Sequence, residues 1–144
     1  MYSSRQTFGD QNRVAVKRAR DCWNRGDLSG YMQLYDPDVE LHGYAGVERG
    51  LENVQRFYEE FWKAFPGSQL IFEDIISSED KVVCRFVIEA THAGTFQGLP
   101  ATGKKIAMPG MTILRFAEAK CVERWSQADS LGLLVQLGAL PAPK

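Results

Sequence analysis

The sequence predicts an α+β domain in which N-terminal and central helices pack on the concave side of a strongly curved, antiparallel or mixed sheet, leaving a cone with room at its mouth. Three observations predict it. Apolar residues recur at three and four over 14–23 and again over 51–65, the spacing of helices that bury one face. From 69 to 129 the pattern changes to alternation, broken by short turns at 78–80, 100–103 and 118–120, which reads as four successive antiparallel strands. Gly94, Gly98, Gly103 and Gly110 fall where such a sheet would have to bend.

Each element has its own local reason. Val14, Ala15, Arg18, Ala19, Cys22 and Trp23 share a helical face, and Gly26 is placed to end that helix in the left-handed conformation. Asp27 can cap a short second helix whose Leu28, Tyr31, Met32, Leu34 and Tyr35 supply an apolar side, with Pro37 stopping it. Val39, Leu41 and Gly43 then alternate with Glu40, His42 and Tyr44, a short strand that sets His42 and Tyr44 on one face. Leu51, Val54, Phe57, Tyr58, Phe61, Trp62 and Phe65 form a stripe wide enough to cover a sheet, ended by Pro66-Gly67. Strands follow over 69–77, 81–92, 104–116 and 121–129, and a small apolar helix over 131–137 closes the chain. The strand over 81–92 is apolar on both faces, so one face is expected on the helices and the other against a second subunit. Tyr2 and Phe8 are further candidates for that contact.

The 144 residues fit one domain, with an ordered core over about 11–138. A hydrophobic fraction of 44% with a formal charge of −1 is that of an ordinary globular protein, and no stripe of Lys and Arg marks a nucleic-acid surface. No apolar run approaches the ~18 residues of a membrane span, and the start lacks the apolar segment of a signal peptide. Cys22, Cys84 and Cys121 are isolated and odd in number, which reads as small buried hydrophobes in a reducing, cytoplasmic setting. No Cys or carboxylate stands at ligand spacing from either histidine, so no metal or other cofactor is expected.

Candidate chemistry gathers on few residues. Alternation along 121–129 puts Asp129 on the face of Trp125, just before Leu131, Leu133 and Leu137. In such apolar surroundings a carboxyl can serve as general acid and base; the competing assignment is an N-cap for the last helix, a task Ser130 could take instead. His42 and His92 could each orient a substrate oxygen or share a proton, or be partly buried structural histidines. Tyr44 joins His42 in a polar patch, and Tyr31, Tyr35, Tyr58 and Trp62 could wall a cavity or simply fill the core. Met108 and Met111 lie on opposite faces of one strand, so at most one of them, taken as Met108, lines the pocket unless a bulge intervenes. Arg115 and Arg124 are read as ion-pair partners of Glu118 or Glu123.

The segments Ala64-Phe65-Pro66-Gly67, Gly94-Thr95-Phe96-Gln97-Gly98-Leu99-Pro100-Ala101-Thr102-Gly103-Lys104 and Val122-Glu123-Arg124-Trp125, leading through Asp129 to Gly132-Leu133-Leu134-Val135-Gln136-Leu137-Gly138, resemble those of SnoaL-like polyketide cyclases, a branch of the nuclear-transport-factor-2-like (NTF2-like) cone fold. The resemblance covers nearly all of 11–138. It implies a homodimer, a cofactor-free cavity between sheet and helices for a hydrophobic small-molecule substrate, and an acid/base aspartate at Asp129. For aromatic polyketides it implies intramolecular aldol ring closure; a hydrolase or isomerase of the same fold, or a non-catalytic ligand-binding or scaffold protein, are the alternatives. In such cyclases a histidine on the preceding strand assists. The strand over 104–116 has none, so that role is absent or falls to His42, Tyr44 or His92.

Overall fold

A computed structural model describes residues 8–142, so the expectation for Tyr2 lies outside the described residues, as does the side chain of Phe8. The order is α1 (Phe8–Asn24), α2 (Leu28–Met32), β1 (Tyr35–His42), α3 (Leu51–Ala64), β2 (Gln69–Ser78), β3 (Lys81–Thr91), β4 (Lys105–Ala117), β5 (Lys120–Ala128) and α4 (Ser130–Gln136). The five strands form one sheet in the order β1-β5-β4-β3-β2. Pairing is antiparallel from β2 to β5, and β1 adds parallel to β5 at the edge, so the sheet is mixed. Boundaries differ from the sequence reading most at α2: it ends at Met32, Tyr35 opens β1, and Pro37, expected to stop the helix, lies within that strand.

The helices cover one face of the sheet. Trp23 of α1, Tyr31 and Met32 of α2, and Val54, Tyr58 and Phe61 of α3 meet Val82, Cys84, Phe86 and Ile88 of β3 and Ile106, Met108, Thr112 and Leu114 of β4. Alternation holds along β3 and β4: Met108 is buried while Met111 is 62% exposed on the far side. Gly110, between Met108 and Thr112 on the inner face, has no Cβ where the ring of Phe86 stands; an added Cβ would lie 2.5 Å from it. The three cysteines are buried and unpaired. Burial pushes the thiols of Cys84 and Cys121 up to about 11, so both stay protonated and behave as small apolar groups. No described helix is long and apolar enough to cross a membrane.

Two local departures from plain alternation decide which side chains reach the inside. At the β4–β5 pairing, Arg115 faces Glu123 but the next pair is Phe116 with Cys121, so Val122 is an extra residue. This bulge puts Cys121 in the core while Glu123, Trp125 and Gln127 turn outward, and it sends Arg124, Ser126 and Ala128 inward. At the end of β1, Gly43 has φ +87 and passes so close to β5 that a Cβ would stand 2.0 Å from the Ser126 carbonyl oxygen. Only glycine tolerates both conditions. The turn it makes separates His42, outside, from Tyr44, inside, where simple alternation had put them together.

Candidate active site

The cavity at the mouth of the cone has a volume of about 280 Å³. Its walls are aromatic and aliphatic: Trp23 from α1, Phe57, Tyr58 and Phe61 from α3, Phe86 from β3, Met108 from β4, Phe96 from the β3–β4 connection, and Leu133 and Leu134 from α4. Residues with polar side chains are few in the lining: Tyr44, Tyr58, Gln97, Ser126, Gln127 and Ser130. An apolar hollow with a small convergent polar group is the usual form of a small-molecule site. A larger groove of about 1040 Å³ runs beside the start of α1 and the turns at 79–80 and 118–119. It has no aromatic cage, and its Ser77 hydroxyl already accepts a hydrogen bond from Arg13 at 2.8 Å.

Behind the cavity lies a feature that the sequence reading placed elsewhere. Arg124, expected in a surface ion pair, is half-buried with its guanidinium turned inward, and among the described residues no carboxylate forms a salt bridge with it. Its Nη1 instead donates toward the hydroxyls of Tyr31 (3.0 Å), Tyr35 and Tyr58 (3.3 Å), and its Nε donates to Thr112 Oγ1 (2.8 Å). The phenols bond one another, with 2.8 Å between Tyr31 and Tyr35 and 3.1 Å between Tyr35 and Tyr58. Burial works against the guanidinium's charge, while the phenols of Tyr35, Tyr44, Tyr58 and Tyr31 favour it and carry its pKa upward on balance. Burial also raises the pKa of Tyr31, Tyr35 and Tyr58, so these phenols are neutral and surround a lone positive charge.

From this cation a chain of hydroxyls runs to the cavity. Thr112 Oγ1 is 2.7 Å from Ser126 Oγ, and Ser126 Oγ is 2.8 Å from Tyr44 Oη. Tyr58 makes a second, shorter connection, since its hydroxyl touches Arg124 while its ring lines the cavity. The bulge at Val122 and the turn at Gly43 together create this line of contacts.

The remaining candidates divide clearly. Tyr44, Tyr58, Met108 and Leu133 line the cavity. Tyr31 and Tyr35 stand behind it against Arg124, and Trp62 packs edge-on against Trp23 with a centroid distance of 5.0 Å. Asp129 is the N-cap of α4: its Oδ1 accepts the Gly132 N–H at 2.8 Å, and the residue is exposed although Ala128 and Ser130 on either side line the cavity. A Cβ at Gly132 would stand 2.2 Å from that carboxylate, which would have to turn aside to keep the cap.

Trp125 and His42 stack on the opposite face of the sheet, 5.4 Å apart and inclined by 16°. There His42 Nε2 lies 2.7 Å from Glu123, whose carboxyl is held below its ordinary range by the bonds from His42 and Arg115. Glu40, His42 and Glu123 could converge on a metal ion, but Arg49 and Arg115 already bind the same two carboxylates, at 3.2 and 3.0 Å, and place positive charge where a cation would sit. His92 is fully buried and lines no part of this cavity. Its Nδ1 accepts the Thr102 N–H at 3.2 Å, which puts the ring proton on Nε2, and it fastens the 100–104 segment to the end of β3.

Residues 13–137 match the family model described as SnoaL-like polyketide cyclase. The chain belongs to the SnoaL-like polyketide cyclase family. Among solved structures, AclR from Streptomyces galilaeus, a candidate hydroxylase, is 32% identical with a TM-score of 0.85, covering 94% of this chain and 86% of that one. IdmH from Streptomyces antibioticus, a candidate polyketide cyclase, is 28% identical with a TM-score of 0.77, covering 89% of this chain and 99% of that one. These likenesses place the chain in the NTF2-like cone fold. Among curated proteins, the uncharacterized Rv0034 of Mycobacterium tuberculosis (strain ATCC 25618 / H37Rv) and Mb0035 of Mycobacterium bovis (strain ATCC BAA-935 / AF2122/97) are each 34% identical over an 86-residue alignment that covers 55% of this chain. The match spans 66% of the length of these relatives. Within this SnoaL-like chain, the residues that sequence reasoning missed are Arg124, Thr112 and Ser126. One signal was available: tyrosines at 31, 35 and 58 on faces expected to be buried bring hydroxyls that need partners.

Proposed function

We propose that this chain is a cyclase-like acid/base enzyme acting on a hydrophobic, carbonyl-bearing small molecule, closing a ring by intramolecular aldol condensation. The observation that carries the reading is the aromatic cavity lined by Tyr44, whose hydroxyl is bonded to that of Ser126 on the same wall. In this scheme Asp129, at the rim between two cavity-lining residues, removes a proton from a carbon flanked by carbonyls. The enolate oxygen is met by the Tyr44 hydroxyl, which takes the assisting role; His42 and His92 stand away from the cavity. The enolate carbon attacks a second carbonyl of the same molecule, and the Asp129 carboxyl returns its proton to the new alkoxide. Folding the substrate against flat aromatic walls supplies the proximity that such a closure needs.

A pair of variants separates the two tasks of Asp129. Asp129→Asn keeps an oxygen for the Gly132 N–H and removes the base: the melting temperature should stay close to wild type while turnover falls at least ~10²-fold. Asp129→Ala should lose the cap as well, about 1 kcal/mol of stability in denaturant titration. Wild-type turnover by the asparagine variant would remove Asp129 from the mechanism. A second reading rests on the likeness to AclR, in which the same cavity would hold a substrate for hydroxylation. Product mass separates the two: aldol closure gives an isomer of the substrate or the loss of water, hydroxylation a gain of one oxygen atom.

The same reading includes a homodimer through the outer face of the sheet, where Ile71, Ile76, Val83, Met111 and Ile113 are exposed. Light scattering at micromolar concentration should give twice the chain mass, and a monomer mass would refute the pairing.

A further inference from the structure

Taking the cavity as the active site, we infer that the Tyr44 hydroxyl is a receptor for an anionic oxygen, the enolate or phenolate of an aromatic or 1,3-dicarbonyl compound, with Arg124 as the source of positive charge acting through Thr112 and Ser126. The argument is one of proton counting. The Arg124 Nε has only a proton to give, and it gives it to Thr112 Oγ1 at 2.8 Å. Thr112 then has one proton for two acceptors, the Trp125 carbonyl at 3.0 Å and Ser126 Oγ at 2.7 Å. When it goes to Ser126, the Ser126 proton is free for Tyr44 Oη at 2.8 Å, and the Tyr44 proton is free for the cavity. Every hydroxyl in that line donates away from the cation, so each polarises the next and the last is a strengthened donor. Negative charge at the Tyr44 end favours this orientation over the reverse one.

The second half of the argument is the missing counter-charge. Among the described residues the hydrogen-bond partners of Arg124 are all neutral hydroxyls, which hold the charge without cancelling it and leave it able to attract an anion in the cavity. The walls on either side, Phe57 edge-on to Tyr44 at 5.2 Å and Phe86 across the sheet, suit a flat conjugated ligand whose charge is delocalised. Arg124 and Thr112 are therefore positioning residues, and specificity for an acidic, enolisable compound over a neutral one of equal size resides in them.

The test uses the full chain with two probes of nearly equal shape, 4-nitrophenol, whose phenolate has its own absorption band, and 4-nitroanisole, which has no acidic proton. The bound phenol should ionise at lower pH than the free one, with the phenolate favoured by about tenfold or more. Thr112→Val should reduce that preference at least about threefold with anisole affinity unchanged, and Tyr44→Phe, at the cavity wall, should abolish it. Anisole binding without any phenolate preference, or a preference untouched in the Tyr44→Phe protein, overturns the receptor while leaving the cavity as a ligand site. Failure of both probes to bind overturns the reading of the cavity itself, and the receptor with it.

Discussion

Arg124→Met is expected to leave the protein folded, within about 2 kcal/mol of wild type in denaturant titration, while removing the phenolate preference of the cavity and lowering turnover by 10²-fold or more, to order of magnitude. Removing a buried arginine is severe where a carboxylate is left behind, since breaking such a pair typically costs ~3–5 kcal/mol. Here no carboxylate is left. The hydroxyls that lose the guanidinium still have one another: Tyr31 with Tyr35, Tyr35 with Tyr58, and Thr112 with both Ser126 and the Trp125 carbonyl. Methionine is flexible enough to follow the arginine stem through the same packing. Function, by contrast, loses the charge that, among the described residues, stands behind the Tyr44 donor. A variant that unfolds, or that binds phenolate as the wild type does, contradicts the account of Arg124 as a functional and not a structural cation.

The second large effect is expected at Gly43. Gly43→Ala should destabilise the fold by on the order of 3 kcal/mol or more, a fall of roughly 10 °C in melting temperature. Two faults coincide there, a φ of +87 and a methyl group driven to 2.0 Å from the Ser126 carbonyl. Gly46→Ala is the control: its φ is +77, but no atom lies within 4 Å of the added carbon, so only the backbone strain of about 1–2 kcal/mol is expected. Equal melting temperatures for the two variants would show that the approach of β1 to β5 yields easily. In that case Tyr44 would not be held against Ser126 by the backbone.

Most of the architecture was legible in the sequence because periodicity is a local property. The helices over α1 and α3, the hairpin turns and the closing apolar helix follow from spacings of three, four and two, and from glycine and proline at their ends. The site was only partly legible, for reasons that can be named. Alternation along β5 presumes a residue-for-residue ladder, and the extra residue at Val122 cannot be seen in the chain itself. Without it, Asp129 and Trp125 appear to share an inner face; with it, Arg124 and Ser126 take that face. Gly43 was visible as a glycine but not as a left-handed one, so His42 and Tyr44 were grouped together although they face opposite sides. Arginine is expected outside unless paired, and its pairing with tyrosine hydroxyls from α2, β1 and α3 exists only once those elements meet. Asp129 is the case where both readings had a local basis, and its cap to Gly132 is the one displayed by the fold.

The parallel placement of β1 beside β5 has a consequence for how the molecule comes into being. Tyr44 and Ser126 are 82 positions apart, so the Tyr44 end of the cavity cannot form until the chain through Ser126 has left the ribosome. The antiparallel meander from β2 to β5 is built from near neighbours and can condense first, with the amino-terminal edge strand waiting for its distant partner. Binding competence should accordingly appear as the slowest kinetic phase of refolding, later than the burial of tryptophan.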